Sequence, residues 1–132
     1  MKRRDIAIAA AAVTGMISSA VLAGNSNDWV AIKSRQELRA LYSNTTFKGK
    51  GPDGSSFVGY YRADGRGLLL SYGQRIPRTW NVKGDKVCIT DPRGTGCYRF
   101  RRNRIHHNEI VGRQVTDGWQ IWFTVKDGVP NF

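Results

Sequence analysis

The chain has 132 residues, of which 21 are basic and 10 acidic, and its formal net charge at pH 7 is +11. This length predicts a single domain, and the excess of positive charge favours anionic partners whose binding weakens with salt. The spacing of the two cysteines does not fit a zinc site, because there is no second cysteine pair and the only histidines are the adjacent His106 and His107. The sequence therefore gives no support to a structural or catalytic zinc protein.

Residues 1–23 have the pattern of a secretory signal peptide. A basic start, Lys2 to Arg4, precedes an alanine-rich apolar segment, and Val21 to Ala23 fits the small-x-small cleavage rule. A membrane anchor is not favoured, because polar pairs interrupt the apolar segment. We predict a cleaved signal peptide and a periplasmic or secreted mature protein, residues 24–132, without a transmembrane segment.

Two features refine the export route. Arg3 and Arg4, followed by Ile6, resemble a twin-arginine signal, but the rest of that consensus is missing, so a standard secretory route stays open. Asn25 stands where a lipoprotein signal needs cysteine, so a lipid anchor is not favoured. Cleavage would leave 18 basic and 9 acidic residues, a net charge of +9.

The mature chain begins with one short predicted helix. The pattern Ser34-x-x-Glu37 is a capping box, in which each side chain bonds the free backbone N–H of the other residue. Apolar residues then recur at helical spacing on one face, at Leu38, Leu41 and Tyr42. The sequence therefore predicts a helix over 34–42 that packs over Trp29 and Ile32.

Glycine, proline and aspartate clusters punctuate the rest of the chain at short, regular intervals. They separate predicted strands at 45–50, 56–62, 67–72, 78–82, 86–90, 97–101 and 119–125, with one or two more within 105–115. Gly73–Pro77 is predicted as a loop. The expected fold is mainly β, an antiparallel up-and-down meander of about eight strands over 45–126 that forms a small barrel or half-barrel.

Alternation along these strands predicts which side chains face the interior. The predicted core consists of Phe57, Tyr61, Leu68, Leu70, Trp80, Val82, Val87, Ile89, Tyr98, Phe100, Trp119, Ile121 and Phe123. Tyr60 and Trp122 alternate away from this face, where they are expected either to stack on bases or sugars or to pack under the helix.

Both cysteines lie in one predicted hairpin, on either side of the turn cluster 91–96. Placing Cys88 opposite Cys97 also collects the apolar side chains of both strands on the other face. This register and an oxidising compartment favour a Cys88–Cys97 disulfide over two free, buried thiols. The same register places Lys86 opposite Arg99, so we expect water or an anion between these like charges.

No catalytic motif is found in the sequence. Most acidic residues of the mature chain sit in turns beside glycine or proline, which explains them without catalysis. They are Asp53, Asp64, Asp85, Asp91, Asp117 and Asp127. His106 and His107 are adjacent, so on a strand they would point to opposite faces. We therefore predict that the protein is not an enzyme and uses no metal or cofactor.

Two sets of residues are candidate binding sites. The first is a basic cluster rich in arginine, which favours bidentate contacts with phosphate or carboxylate, although an ordinary solvated surface is the alternative. Its anion-binding candidates are Lys86, Arg93, Arg99, Arg101, Arg102 and Arg104. The second is a set of inward-facing aromatic side chains that would line a ligand cavity. These candidates are Phe57, Tyr61, Trp80, Tyr98 and Trp119.

A series of short motifs runs along the mature chain. They are ELRALYS in the helix, YYRADGRG in a hairpin, WNVKGDKVCI and GCYRF around the cysteines, and FTVKDGVP near the end. This order resembles a group of small exported bacterial proteins of unknown function with a lipocalin-like β-meander. The resemblance covers about residues 35–130. It implies a small periplasmic barrel and carries over no catalytic position.

The sequence leads to two hypotheses about function. The first is a carrier of a small apolar or amphipathic ligand, which requires an open cavity, although side chains can also fill small barrels. The second is a basic interaction module that binds an anionic envelope component or a partner protein through its arginine-rich surface. Specific nucleic-acid binding is not favoured, and the ligand and the oligomeric state stay open.

Overall fold

The structure, a computed structural model, describes residues 28–132, so the predicted signal peptide lies outside the described residues. This range contains one helix, α1 (Arg35–Tyr42), and nine strands. The strands are β1 (Trp29–Ile32), β2 (Thr45–Lys50), β3 (Ser56–Tyr61), β4 (Arg66–Ser71), β5 (Gln74–Lys83), β6 (Lys86–Asp91), β7 (Gly94–Asn103), β8 (Glu109–Gln114) and β9 (Gln120–Asp127).

Strands β2 to β9 form a closed antiparallel barrel. Each strand pairs with the next one along the chain, and β2 pairs with β9 to complete the ring. The additional strand β1 pairs with the second half of β7, whereas β6 pairs with the first half. The predicted mainly β fold of about eight strands is confirmed, and the barrel is closed rather than half-open.

Two segments differ from the prediction. The predicted loop at Gly73–Pro77 is wrong, because β5 already begins at Gln74. Tyr72 and Gly73 make the turn alone, with φ of 51° and 71° in the left-handed region. Strand β1 is an element that the pattern does not predict, because its four residues, WVAI, show no alternation.

Helix α1 closes one end of the barrel. The Oγ of Ser34 accepts a hydrogen bond from the Glu37 N–H at 3.0 Å, which confirms Ser34 as the helix N-cap, and it donates one to Glu37 Oε1 at 2.9 Å, so the Glu37 side chain bonds the Ser34 hydroxyl. Leu38, Leu41 and Tyr42 are buried. The Tyr42 ring contacts rings on four strands at centroid distances of 4.7 to 5.7 Å, those of Phe47, Tyr61, Trp80 and Phe100. This aromatic cluster fills the closed end.

The alternation of strand β4 is shifted by one residue from the predicted one, so that different side chains face the interior. Leu69 lines the interior, and because side chains alternate, Leu68 and Leu70 lie on the outer face. The prediction that Leu68 and Leu70 face the interior is therefore wrong, although Leu68 is buried on the outer face, with 7% exposure. The reason is space inside the barrel, where the inward position next to Leu69 is Gly67. A Cβ at Gly67 would lie 2.7 Å from Cδ1 of Tyr61, so the ring of Tyr61 takes that place.

The remaining predicted core residues face inward. Seven of them are buried in the core: Tyr61, Trp80, Val82, Val87, Ile89, Phe100 and Phe123. Phe57, Tyr98 and Ile121 are partly buried and pack against it. Trp119 contacts Tyr98 edge to face, with ring centroids 5.5 Å apart.

The Cys88–Cys97 disulfide joins β6 and β7, as predicted. The two residues are directly opposed, and their sulfur atoms are 2.08 Å apart. The expected anion near Lys86 and Arg99 is a carboxylate of the chain itself. Asp85 Oδ2 lies 3.1 Å from Arg99 Nε, and Asp85 Oδ1 lies 3.9 Å from Lys86 Nζ.

Candidate ligand-binding cavity

The half of the barrel away from α1 contains a cavity of about 580 Å³. Its mouth is formed by the turns that follow β2, β4, β6 and β8, which contribute Pro52, Tyr72, Arg93 and Asp117 to the lining. Apolar side chains make up much of the wall, namely Phe47, Phe57, Leu69, Ile89 and Ile121. This size and this mixture of apolar wall with a few polar groups are typical of small-molecule sites.

Arg78 lies on the cavity wall and bonds to residues on both sides. Its Nε donates to Asp91 Oδ2 at 3.2 Å, and its Nη1 donates to the Tyr61 hydroxyl at 2.9 Å. The side chains of Arg78 and Asp91 are only 14% and 6% exposed. A salt bridge is thus built into the wall of the cavity, with a phenol as its third member.

Arg93 binds the same carboxylate from the mouth. Its backbone N–H and its Nε donate to Asp91 Oδ1 at 2.8 Å and 3.2 Å, and its Nη2 donates to Asp91 Oδ2 at 2.7 Å. The hydrogen bonds from Arg93, together with the charge of Arg78, lower the pKa of Asp91 to about 2. Asp91 is therefore ionised at neutral pH, and two guanidinium groups share one carboxylate.

Further tyrosine hydroxyls lie near this ion pair. Within residues 28–132, the hydroxyls of Tyr98 and Tyr42 have no hydrogen-bond partner. Burial raises the pKa of both groups, although the charge of Arg78 acts in the opposite direction. Both phenols therefore stay protonated at neutral pH and keep a hydrogen-bond donor.

Four of the five predicted cavity residues line the cavity: Phe57, Tyr61, Tyr98 and Trp119. The fifth, Trp80, lies in the closed end, where its ring contacts Tyr42 and the Arg39 guanidinium carbon stands 5.7 Å from the ring centre. Its Nε1 donates to the Arg62 carbonyl at 2.8 Å. Trp80 is a core residue rather than part of the cavity lining.

Arg78 and Asp91 are absent from the candidates that the sequence predicts. Asp91 precedes a proline, which favoured an assignment to the turn, and Arg78 stands at the start of a predicted strand. The pairing register of the two strands could have identified both residues. Trp80 pairs with Ile89, and extending this pairing by two residues places Arg78 opposite Asp91 on the inner face.

The six anion-binding candidates do not form one patch. Arg99 and Arg101 alternate to the outer face of β7, whereas Arg102 alternates to the other side and donates to the His107 carbonyl at 3.0 Å. Acidic groups of the chain already pair with several candidates: Arg93 with Asp91, Lys86 and Arg99 with Asp85, and Arg104 with Asp28. The predicted cluster is therefore divided between the cavity mouth, the barrel wall and the closed end.

A second grouping of basic residues, which shares Arg101 with the six candidates, lies on the same outer surface as Trp122, which is 52% exposed. Lys50 of β2 and Val111 of β8 pair directly with Trp122, and Arg101 of β7 pairs with Val111, so all four share the outer face. Arg113 and Trp122 line a shallow surface depression. We call Lys50, Arg101, Arg113 and Trp122 the outer basic surface. Of the two expected roles of Trp122, packing under the helix is wrong.

Residues 28–132 contain no group of three or more histidine, cysteine or acidic side chains placed to hold a metal ion. No helix in this part of the chain has the length and apolar character to cross a membrane. Comparisons with protein-family models, with curated proteins and with solved structures found no match. The cavity is therefore interpreted from its own geometry and chemistry.

Proposed function

We propose that the chain is an exported, non-enzymatic binding protein that carries a small apolar or amphipathic ligand inside its barrel. The cavity of about 580 Å³ is the observation that carries this proposal. Its volume lies in the range of small-molecule sites, and the buried Arg78–Asp91 pair lies in a wall that also contains apolar side chains. The signal-peptide pattern and the disulfide support an extracytoplasmic location.

The state of Asp91 favours binding over catalysis. A carboxylate that acts as a general base needs a free oxygen and a pKa near the working pH. Both oxygens of Asp91 already accept hydrogen bonds from arginine, and its pKa is about 2. The group is therefore suited to fix two guanidinium groups in place rather than to move a proton.

A fluorescence titration tests the cavity. N-phenyl-1-naphthylamine, a neutral apolar probe that brightens when it leaves water, is expected to bind the purified protein saturably at one site per chain. Native mass spectrometry of protein purified from the cell envelope is expected to show an adduct of defined mass that survives high salt. A bare mass together with no saturable probe binding would overturn the proposal.

Two leucine substitutions distinguish the cavity from the surface. Gly96 lines the cavity, and a Cβ there would meet its nearest neighbour at 3.5 Å, an ordinary contact. Gly96→Leu should therefore fill part of the cavity and weaken probe binding at least tenfold. Thr79 is exposed on the outer face of β5, so Thr79→Leu should leave binding unchanged. Equal affinity in both variants would show that the probe binds elsewhere.

The outer basic surface favours a second candidate function, binding of an anionic envelope component such as anionic phospholipid. An exposed tryptophan among basic side chains joins an apolar anchor to electrostatic attraction. Binding to phosphatidylglycerol vesicles should fall with salt and with Trp122→Ala. Tyr72 is also an exposed aromatic residue but lies at the cavity mouth, so Tyr72→Ala is the matched control. Equal binding to neutral vesicles would argue against this function.

A further inference from the structure

We propose that the cavity is selective for amphipathic molecules with a single acidic head group, a carboxylate bound by Arg78 together with the hydroxyls of Tyr61 and Tyr98. This inference rests on the proposed carrier function and specifies its ligand class.

The first argument is the charge inside the barrel. Arg78 and Arg93 share one carboxylate, Asp91, so this group of three side chains carries a net charge of +1. The other two carboxylates that line the cavity, Asp53 and Asp117, are exposed at the mouth, where water screens them. Arg93 is itself 61% exposed at the mouth, so its charge is screened as well, and the positive charge that it adds to the group can be compensated by the one negative charge of a monoanionic ligand.

The second argument is the number of hydrogen-bond donors on Arg78. A guanidinium group has five N–H donors. Among the described residues, the side chain of Arg78 makes only two hydrogen bonds, to Asp91 and Tyr61. Because Arg78 lines the cavity, a ligand that displaces water there must supply acceptors for the remaining donors, since buried donors without partners are costly. A ligand carboxylate provides acceptors that match the planar fork of the guanidinium group.

The third argument is the arrangement of the phenols. Tyr61 accepts a hydrogen bond from Arg78, so its own O–H remains able to donate. Tyr98 lines the same cavity, and its hydroxyl has no partner within residues 28–132. The Tyr98 hydroxyl lies over Gly96, 3.5 Å from the position of a Cβ there, and Gly96 pairs with Ile89, two residues from Asp91. Arginine and phenol donors thus line the same cavity, and the guanidinium N–H groups suit a carboxylate rather than a cationic head group.

The rest of the cavity lining indicates which kind of ligand body, the part beyond the head group, would fit. Phe57, Leu69, Ile89 and Ile121 offer an apolar wall beside Arg78. An alkyl or aromatic body would bury its surface there, which contributes affinity in proportion to the apolar area removed from water. A dianionic phosphate monoester fits less well, because its second charge would have no partner. The favoured class is therefore a monocarboxylic acid with an apolar tail.

Competition between decanoate and 1-decanol tests this class, because the two molecules share a tail and differ in the head group. Both are titrated against bound N-phenyl-1-naphthylamine at pH 7.5. We expect decanoate to displace the probe at a concentration at least tenfold below that of decanol, and decylamine to be weaker than either. Equal displacement by decanoate and decanol would overturn the inference and leave the carrier function standing. Absence of probe binding would instead refute the carrier function itself.

Matched variants on β5 locate the selectivity. Arg78→Gln should abolish the preference for decanoate over decanol. Arg75→Gln makes the same change at an exposed arginine of the same strand and should retain the preference. Tyr98→Phe removes only a hydroxyl and should reduce the preference several-fold. Circular dichroism checks the fold of each variant. If Arg78→Gln does not fold, the inference is tested by Tyr98→Phe and by the ratio of decanol to decanoate displacement concentrations in the wild-type protein. An unchanged preference in Tyr98→Phe would show that this hydroxyl does not belong to the site.

Discussion

The two ends of the barrel are built from the same eight strands, yet one end is filled and the other is hollow. At the closed end, Tyr42 of α1 packs among large inward side chains such as Trp80 and Phe100. At the open end, small residues such as Ser71 and Gly96 line the cavity. The ends also differ in polarity, because the open end holds the arginine–aspartate group and the closed end is aromatic.

Strand β7 shows how the difference arises within one element. Its inward residues are small at the open end, Gly94 and Gly96, and large towards the closed end, Tyr98 and Phe100. Alternation decides which residues face the interior, and their volume decides whether that interior is filled. A small barrel can therefore combine a solid core with a binding cavity without a change in topology.

Truncation of the closed end should have the largest effect on stability. Tyr42 is 1% exposed, and Tyr42→Ala should lower the free energy of unfolding by about 3–5 kcal/mol, as for other buried aromatic side chains. Tyr72 is 71% exposed at the open end, and Tyr72→Ala should change it by about 0.5 kcal/mol or less. Urea unfolding measures both. Similar losses in the two variants would contradict a division into a structural end and a binding end.

Removal of the disulfide should have an intermediate effect on the free energy of unfolding, because the bridge lies in the wall that both ends share. The bridge closes a loop between residues nine positions apart, and the chain-entropy model gives about 2–3 kcal/mol for loops of this order. The double variant Cys88→Ala/Cys97→Ala should lose this stability in urea unfolding. Because both cysteines lie on the outer face, its affinity for N-phenyl-1-naphthylamine should not change, and a lost affinity would show that the bridge shapes the cavity.

Acid should have the smallest effect on the free energy of unfolding, and this effect arises at the open end. Arg93 and Arg78 hold the pKa of Asp91 at about 2, compared with 3.8 for a free side chain. Since the folded pKa is the lower one, the ionised group stabilises the fold by about 2 kcal/mol, fully above pH 4 to 5 and progressively less as the pH falls towards 2. Urea unfolding between pH 5 and pH 2 measures this loss.

Two variants, Asp91→Asn and Asp53→Asn, show which carboxylate causes the loss of stability in acid. Asp91→Asn should remove much of the pH dependence, because its carboxylate is 6% exposed. Asp53 also has a pKa of about 2, owing to hydrogen bonds from Ser55 and Tyr72, but it is fully exposed at the rim. Asp53→Asn should therefore change the pH dependence less than Asp91→Asn. The opposite order would mean that the rim, not the buried ion pair, dominates acid sensitivity.

Local patterns in the sequence predict a large part of this fold. The capping box positions α1, and the cysteine register predicts the pairing of β6 with β7, because both signals depend on residues close in the chain. Strand β4 is different. Its run Leu68 to Leu70 contains three apolar residues in succession, so alternation cannot choose between the two faces. The ring of Tyr61, from the neighbouring strand, occupies the inner space at Gly67 and so determines which face of β4 is inward.

The cavity is less predictable than the barrel. Alternation predicts that Phe57, Tyr61 and Tyr98 line it, because their side chains face inward. Whether inward side chains leave a space depends on how closely all eight strands approach, and no single strand contains that information. Arg78 and Asp91 illustrate the point, since each has an ordinary local explanation. Only the pairing of β5 with β6 brings them together on the inner face.

The seam between β2 and β9 has a consequence for how the barrel folds. Every other neighbouring pair in the ring consists of strands consecutive in the chain, but this seam joins distant segments, as in the bond from Thr46 Oγ1 to the Gly128 carbonyl across 82 positions. Contacts of such high contact order have the largest entropic cost of loop closure and are expected to form last. Until then the nascent sheet presents two unpaired edges, which are the surfaces most prone to intermolecular β-pairing.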